Sequence, residues 1–246
     1  MTTRESMDPR KYSVQPATID QRLLKDLQRE YIERMQCVGR RLEEINALPI
    51  MEEPRGSGQK VTAGNYSIRV SERGGFFITG NGVNKKKLSL DGMVYIEQVD
   101  YETGSYAMAG TVRPSREVLV HEQIYSAFPD TNVILHTHDT IALQSAWRTQ
   151  QTPRPIFFAT WEEARKVVEA FKGEKYVTLP EHGQFVMGKN IDEALQEAER
   201  FHWTAVDDDP VQTFKHGGMV LHLFYATSIG YLAVRVGSAI LDTYFL

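Results

Sequence analysis

The segment Asn132-Val-Ile-Leu-His-Thr-His-Asp139 constrains this chain more than any other. Val133, Ile134 and Leu135 are the apolar, β-branched material of a buried strand. Side chains two residues apart on a strand share a face, so His136 and His138 project to one side of a sheet. Two neutral imidazoles placed that way begin a site for a divalent metal ion. A strand that carries them needs a core around it, and 246 residues with 41% hydrophobic content can build one domain with extensions.

The rest of the chain reads as elements of one α/β domain, a central sheet flanked by helices. Residues 1–17 are polar and charged, and read as a flexible leader without a secretory signal. Ile19 to Leu48 has apolar Leu23, Leu24, Leu27, Tyr31, Met35 and Val38 at three- and four-residue steps, the period of an amphipathic helix. Pro54, Gly56 and Gly58 break it. Strands are expected at Tyr66–Val70, Gly75–Thr79 and Met93–Val99, with a Gly80-Asn81-Gly82 turn and a basic patch at Lys85, Lys86 and Lys87 between the last two. Arg116 to Phe128 reads as a helix, and the histidine strand leads into another through Trp147. Further helices are expected at Thr160–Phe171, with Thr160 as N-cap, and at Asp192–Val206. Strands are expected at Tyr176–Leu179 and Gln184–Met187. Residues 207–246 form an apolar C-terminal extension whose His222 and Arg235 speak against a membrane span; a buried element or an oligomer contact is the reading there.

The net charge of −4 gives no reason to expect nucleic acid or an acidic membrane as partner. A single cysteine, Cys37, excludes an internal disulfide and fits a reducing, cytoplasmic setting. Two residues join the histidine pair. Glu117 opens the helix before the histidine strand, where a carboxylate either complements the helix dipole or serves as a general base. His182 precedes Gly183, whose missing side chain permits a tight turn or the close approach of another group. Three imidazoles and a carboxylate suit a catalytic metal site with one exchangeable position.

Taken in order, Pro114-Ser115-Arg116-Glu117, His121, Pro129-Asp130, His136-Thr137-His138 and Glu181-His182-Gly183 resemble the class II aldolase/adducin family, which includes fuculose-phosphate aldolases and an epimerase and a dehydratase of sugar phosphates. The likeness extends to Thr62-Ala-Gly-Asn-Tyr-Ser67, Phe77-Ile-Thr-Gly80, Gly188-Lys-Asn190 and Asp192-Glu-Ala194, so it spans residues 20–205. It implies a three-layer domain at 18–206 with a mainly antiparallel central sheet. It further implies one zinc ion per subunit on His136, His138 and His182, and Glu117 as the acid/base. A phosphate pocket of Asn65, Asn81, Gly82 and Ser115 is also implied, although Asn65 and Ser115 alone read more often as turn or capping residues. The activity implied is that of a zinc-dependent lyase, an aldolase cleaving a carbon–carbon bond of a small phosphorylated ketose through a metal-stabilised enediolate. A homotetramer is the assembly implied.

Three departures stand out. Arg116 follows Ser115 where the aldolases carry a second small hydroxyl residue, and reads either as a charge-assisted contact to the substrate's phosphate or a carboxylate or as a solvent-facing side chain. Glu117 stands where the epimerase branch has Asp. The stretch from His138 to His182 is short for a sugar-phosphate aldolase. Dehydration or decarboxylation of a related sugar phosphate at the same metal site therefore stays open, as does a non-catalytic adducin-like binding role. Adducins lack the metal histidines, and a cupin-like oxygenase would place a Glu soon after the histidine pair, where this chain has Asp139. His121 reads as packing or support. His202, His216 and His222 read as non-ligands, and Tyr225, Tyr231 and Tyr244 either as interface aromatics or as a proton donor.

Overall fold

The computed structural model describes residues 13–52, 60–71, 73–101, 103, 105–153 and 158–208, together with strand residues 223–226, 231–236 and 239–245. The chain begins with strand β1 (Ser13–Pro16) and helix α1 (Gln21–Glu44). The Asp20 side chain caps α1 by accepting from the Arg22 and Leu23 amides at 2.9 and 3.2 Å. Leu24, Leu27, Tyr31, Met35, Val38 and Leu42 form its buried stripe. Each such side chain contributes roughly 1.5–3 kcal/mol when fully buried, so this face, more than helix propensity, holds α1 in place.

A hairpin of β2 (Ile50–Glu52) and β3 (Lys60–Thr62) follows, then β4 (Asn65–Arg69), β5 (Phe76–Thr79), β6 (Met93–Asp100) and β7 (Ser105–Ala109). Helix α2 (Val118–Ala127) precedes the histidine strand β8 (Val133–Thr137). Beyond it lie α3 (Thr140–Gln144), β9 (Gln150–Gln151), α4 (Trp161–Phe171), β10 (Tyr176–Leu179), β11 (Gly183–Gly188) and α5 (Ile191–Asp208). The main sheet has nine strands in the order β1-β7-β6-β5-β4-β8-β11-β10-β9. Only its two edge pairs, β1 with β7 and β9 with β10, are parallel.

The sheet is covered on both faces. One core joins α1 and α5 to Tyr66, Phe77, Tyr95, Val133, Leu135 and Val186. The other joins α2 and α4 to Ile78, Val94, Ile134, Val177 and Phe185. Double coverage explains why β8 reads as an unbroken apolar run, since every residue of it is buried. Alternation along β8 sends Val133 and Leu135 toward α1 and α5, and Ile134 toward α2 and α4. His136 continues the Ile134 row, so the imidazole enters the layer of α2 and α4. The three-layer arrangement with a mainly antiparallel sheet is the expected fold.

Several local readings change. The supposed leader ends in β1, whose register pairs Ser13 with Ser105 and Pro16 with Met108, so residues 13–16 are a sheet edge. The strand β7 was not foreseen, because Ser105-Tyr-Ala-Met-Ala109 carries little β-branched signal. The helix expected through Trp147 stops at Gln144, and Ala146–Arg148 forms a 3-10 turn. The basic patch separates into a buried Lys85, a partly buried Lys86 paired with Glu43 at 3.5 Å, and an exposed Lys87. In the C-terminal extension, β12 (Leu223–Ala226), β13 (Tyr231–Val236) and β14 (Ala239–Phe245) form an antiparallel sheet of their own. Its side chains, Tyr225, Tyr231 and Tyr244 among them, lie outside the described side chains, and His216 and His222 outside the described residues. Among the described residues no helix is long and apolar enough to cross a membrane.

Candidate active site

Strand β8 delivers His136 at its buried end and His138 one residue past its last position. The His136 ring stacks on Phe185 of the neighbouring strand, with centroids 4.3 Å apart and planes inclined by 25°. Its Nδ1 lies 3.0 Å from the Gln184 carbonyl oxygen. A carbonyl only accepts, so Nδ1 carries the proton and the Nε2 lone pair faces inward. The intervening Thr137 points to the opposite face and donates to Gln184 Oε1 at 2.8 Å. Gln184 also accepts from the Asp139 amide at 3.1 Å and donates to its carbonyl at 2.9 Å, which pins the end of β8 to β11. His202 backs this clamp, its Nδ1 2.7 Å from Asp139 Oδ2.

His182 sits in the turn between β10 and β11, its amide donating to the Leu179 carbonyl at 3.0 Å. The left-handed residue of that turn is Glu181, at φ 67°. Gly183 answers a different need. A Cβ there would lie 2.2 Å from the Thr137 carbonyl oxygen and 3.2 Å from ring atoms of both His136 and His138. Gly183→Ala is therefore expected to force β8 and β11 apart. The predicted cost is about 2–3 kcal/mol, or a fall in Tm on the order of 5–10 °C, and an unchanged melting curve would refute it.

The three imidazoles converge. His136 Nε2 and His138 Nε2 are 3.0 Å apart. The ligand atoms of His136, His138 and His182 all fall within 4.8 Å of one another. Glu117 completes the group, with Oε1 3.2 Å from His136 Nε2 and 3.7 Å from His182 Nε2. Its other oxygen accepts from Asn65 Nδ2. Glu117 stands just before α2 and makes no capping bond to that helix. Complementing the helix dipole thus does not account for where its carboxylate points.

Electrostatics keep the imidazoles neutral. Burial, then the neighbouring His138 and His121, hold His136 well below the usual imidazole range. Burial and then His136 push His182 down to about 3, and burial also lowers His138. The neutral ring is the form that ligates metal. His136 Nε2 and His138 Nε2 at 3.0 Å can share one proton or one cation, and the donor set of three neutral nitrogens beside a carboxylate suits a divalent ion. Lys85 lies in electrostatic reach of Glu117 and is buried, its Nζ donating to the Thr62 carbonyl at 2.7 Å. Burial drives its pKa down to about 8, against the smaller upward pull of Glu117.

His121 supports the group from behind. It is wholly buried, with Nδ1 2.7 Å from Ser67 Oγ, and Ser67 Oγ is 2.8 Å from Tyr125 OH. Burial lowers its pKa to about 3. The folded value lies below that of the unfolded chain, near 6.5, so the neutral ring's stabilisation is complete above about pH 6.5. It is lost as the pH falls toward 3, by about 2 kcal/mol at pH 5. Denaturant unfolding at pH 7 and pH 5 should show this difference in addition to that from the buried His136 and His182, and His121→Asn should remove the His121 share. Equal pH dependence in both proteins would refute the assignment.

The expected phosphate-pocket residues are brought side by side by the sheet. Gly80 bridges Pro114, the Asn81 amide donates to the Arg113 carbonyl at 2.8 Å, and the Ser115 amide donates to the Thr79 carbonyl at 3.1 Å. The Asn81 amide is therefore already engaged. Gly82, at φ 70°, and Ser115 are partly buried, whereas Asn81 and Arg116 are exposed. Asn65 turns its amide toward Glu117, a contact that sequence reasoning did not foresee. It also missed Phe158, whose ring lies 3.9 Å from that of His182, and Glu163, whose Oε1 lies 3.8 Å from His182 Nδ1. Burial, then Glu117, push Glu163 well above the usual carboxylate range. Thr160-x-x-Glu163 is legible as a capping box, but no signal in the sequence marks the other carboxylate oxygen.

The family described as Class II Aldolase and Adducin N-terminal domain matches residues 56–206. This chain belongs to that family. The class II aldolase/adducin domain includes every member of the His and Glu cluster. The protein is 31% identical over 123 residues to a methylthioribulose-1-phosphate dehydratase of Leptospira interrogans, covering 43% of this chain and 48% of that protein. It is 27% identical over 158 residues to a 5-methylthioribulose-1-phosphate/5-deoxyribulose-1-phosphate aldolase of Rhodospirillum rubrum, covering 56% and 67%. The match thus spans about half the length of the Leptospira relative. Among solved structures, an L-fuculose 1-phosphate aldolase superposes with a TM-score of 0.58 at 21% identity, over 78% of this chain and 91% of that one. That likeness establishes the class II aldolase fold.

Proposed function

We propose that this protein is a zinc-dependent lyase acting on a small ketose 1-phosphate, with aldol cleavage of the bond between carbons 3 and 4 as its reaction. The observation that carries the reading is the placement of Glu117, which sets a carboxylate oxygen 3.2 Å from one of three converging neutral imidazoles. His136, His138 and His182 would hold the zinc ion. Once bound, it would act as a Lewis acid on the substrate's carbonyl and adjacent hydroxyl oxygens.

The remaining chemistry belongs to the chain. Glu117 would take the proton of the carbon 4 hydroxyl as the bond between carbons 3 and 4 breaks and the aldehyde forms, and would deliver it to carbon 3, next to the carbonyl. Asn65, donating to the far oxygen of Glu117, would hold that carboxylate in register with carbon 3. Ser115, Gly82 and Asn81 would surround the phosphate with small residues and hydroxyl or amide groups, and Arg116 would add a charge-assisted contact. The substrate class is supported by the relatives, since each one named above acts on a ketose 1-phosphate.

Dehydration is the second reading, favoured by the Leptospira relative's being a dehydratase. It uses the same residue at the same atom, with Glu117 removing the proton from carbon 3 as the carbon 4 hydroxyl departs. The test is incubation of the zinc-loaded protein with fuculose 1-phosphate, ribulose 1-phosphate and methylthioribulose 1-phosphate, with products followed by NMR. Dihydroxyacetone phosphate and an aldehyde are expected, and a diketone phosphate would select dehydration. Turnover of none of them, or equal turnover of the unphosphorylated sugars, would overturn the proposal.

A further inference from the structure

Glu163 occupies the third position of α4, and Thr160 is the N-cap. Thr160 Oγ1 accepts from the Glu163 amide at 3.1 Å, and Glu163 Oε2 accepts from the Ala159 amide. This reciprocal cap explains why a Glu stands at this position and what one of its oxygens does. It does not explain the other. Nothing in a capping box requires the carboxylate to leave water, yet Glu163 is 0% exposed. Glu163 Oε1 has no hydrogen-bond partner, and neither does His182 Nδ1, 3.8 Å away. Two of the five unpartnered buried side-chain atoms among the described residues therefore face each other.

The two nitrogens of His182 look in different directions. Nε2 faces Glu117 and the His136–His138 pair, whereas Nδ1 faces Glu163. The arrangement resembles what Gln184 does for His136, where a backbone carbonyl oxygen accepts from Nδ1–H and leaves Nε2 bare. We propose that Glu163 is a positioning residue for His182, its buried Oε1 accepting a hydrogen bond from Nδ1–H so that the bare Nε2 is presented to the cluster. An acceptor oxygen in this role fixes the tautomer and the ring orientation of a ligating imidazole. The inference rests on the reading of His136, His138 and His182 as a metal site. Glu117 remains the group that meets the substrate, and Glu163 acts through His182.

The test uses the full-length protein and the variants Glu163→Gln and Glu163→Leu. Gln keeps the shape, the acceptor and the cap but cannot carry the negative charge that a bound divalent cation would favour on Glu163, and Leu removes all of them. Zinc affinity measured by competition with a chromophoric chelator should fall about 10-fold in Glu163→Gln and about 100-fold in Glu163→Leu. Long-range 1H–15N correlation spectra should show His182 protonated at Nδ1 in the wild type, with that preference lost in Glu163→Leu. A purely structural cap would move neither the tautomer nor, in Glu163→Gln, the zinc affinity. Unchanged affinity with an unchanged His182 tautomer in both variants would overturn the inference. A wild-type protein that takes up no zinc would instead defeat the metal-site reading, while the tautomer spectra still decide whether Glu163 and His182 are paired.

Discussion

Glu117→Gln is expected to lower kcat on a ketose 1-phosphate by a factor of about 10²–10⁴, the range for loss of a positioned acid/base, with KM nearly unchanged. The substitution is close to isosteric. Asn65 Nδ2 can still donate to the amide oxygen, so the buried contact of the native pair survives in form. The proton-transfer capacity does not. The same variant should also abolish exchange of the carbon 3 hydrogen of dihydroxyacetone phosphate with deuterated solvent, read by NMR in the absence of any aldehyde. That second measurement isolates the proton step from bond cleavage. A variant that keeps wild-type kcat and wild-type exchange would remove Glu117 from the mechanism and move attention to another base.

The second large effect concerns the ligands. His136→Ala combined with His138→Ala should reduce bound zinc from about one ion per chain to background by elemental analysis, because a lone His182 with Glu117 cannot supply the three or four protein ligands zinc usually takes. Activity should fall with the metal and should not return when zinc is added. The fold should weaken as well. His136 is wholly buried against Phe185 and satisfies the Gln184 carbonyl, so its truncation leaves a cavity and an unpaired acceptor. A cost of about 2–4 kcal/mol follows for that position alone. His138→Asn is the gentler control, since the residue is only partly buried and lies past the end of β8. If the double variant keeps its zinc, the ion sits elsewhere and the proposed chemistry fails with it.

Local chemistry made much of this protein legible from the sequence. Strand periodicity put His136 and His138 on one face, and the helical period of α1 is visible as an apolar stripe. Thr160 was readable as an N-cap and is one. The ordered motifs that resemble the class II aldolase/adducin family pointed to the fold. Each of these signals is carried by residues within a few positions of one another, where backbone geometry alone decides which side chains share a face.

Other features depended on which strands became neighbours. The pairing of β8 with β11 brings His182 to the histidine pair and makes Gly183 obligatory, because the Thr137 carbonyl occupies the space of a Cβ. The pairing of β4 with β8 sets Asn65 opposite His136, close enough for its amide to hold Glu117. Lys85 looked like surface charge in a run of three lysines, yet close packing of that segment against Gly39 of α1 encloses it. The sequence by itself thus determined most of the elements, the candidate ligand residues and the family. Tertiary structure alone decided which carboxylate faces which imidazole and which charges lose their water, because those contacts join residues distant in the chain and their energies depend on burial that no local pattern encodes.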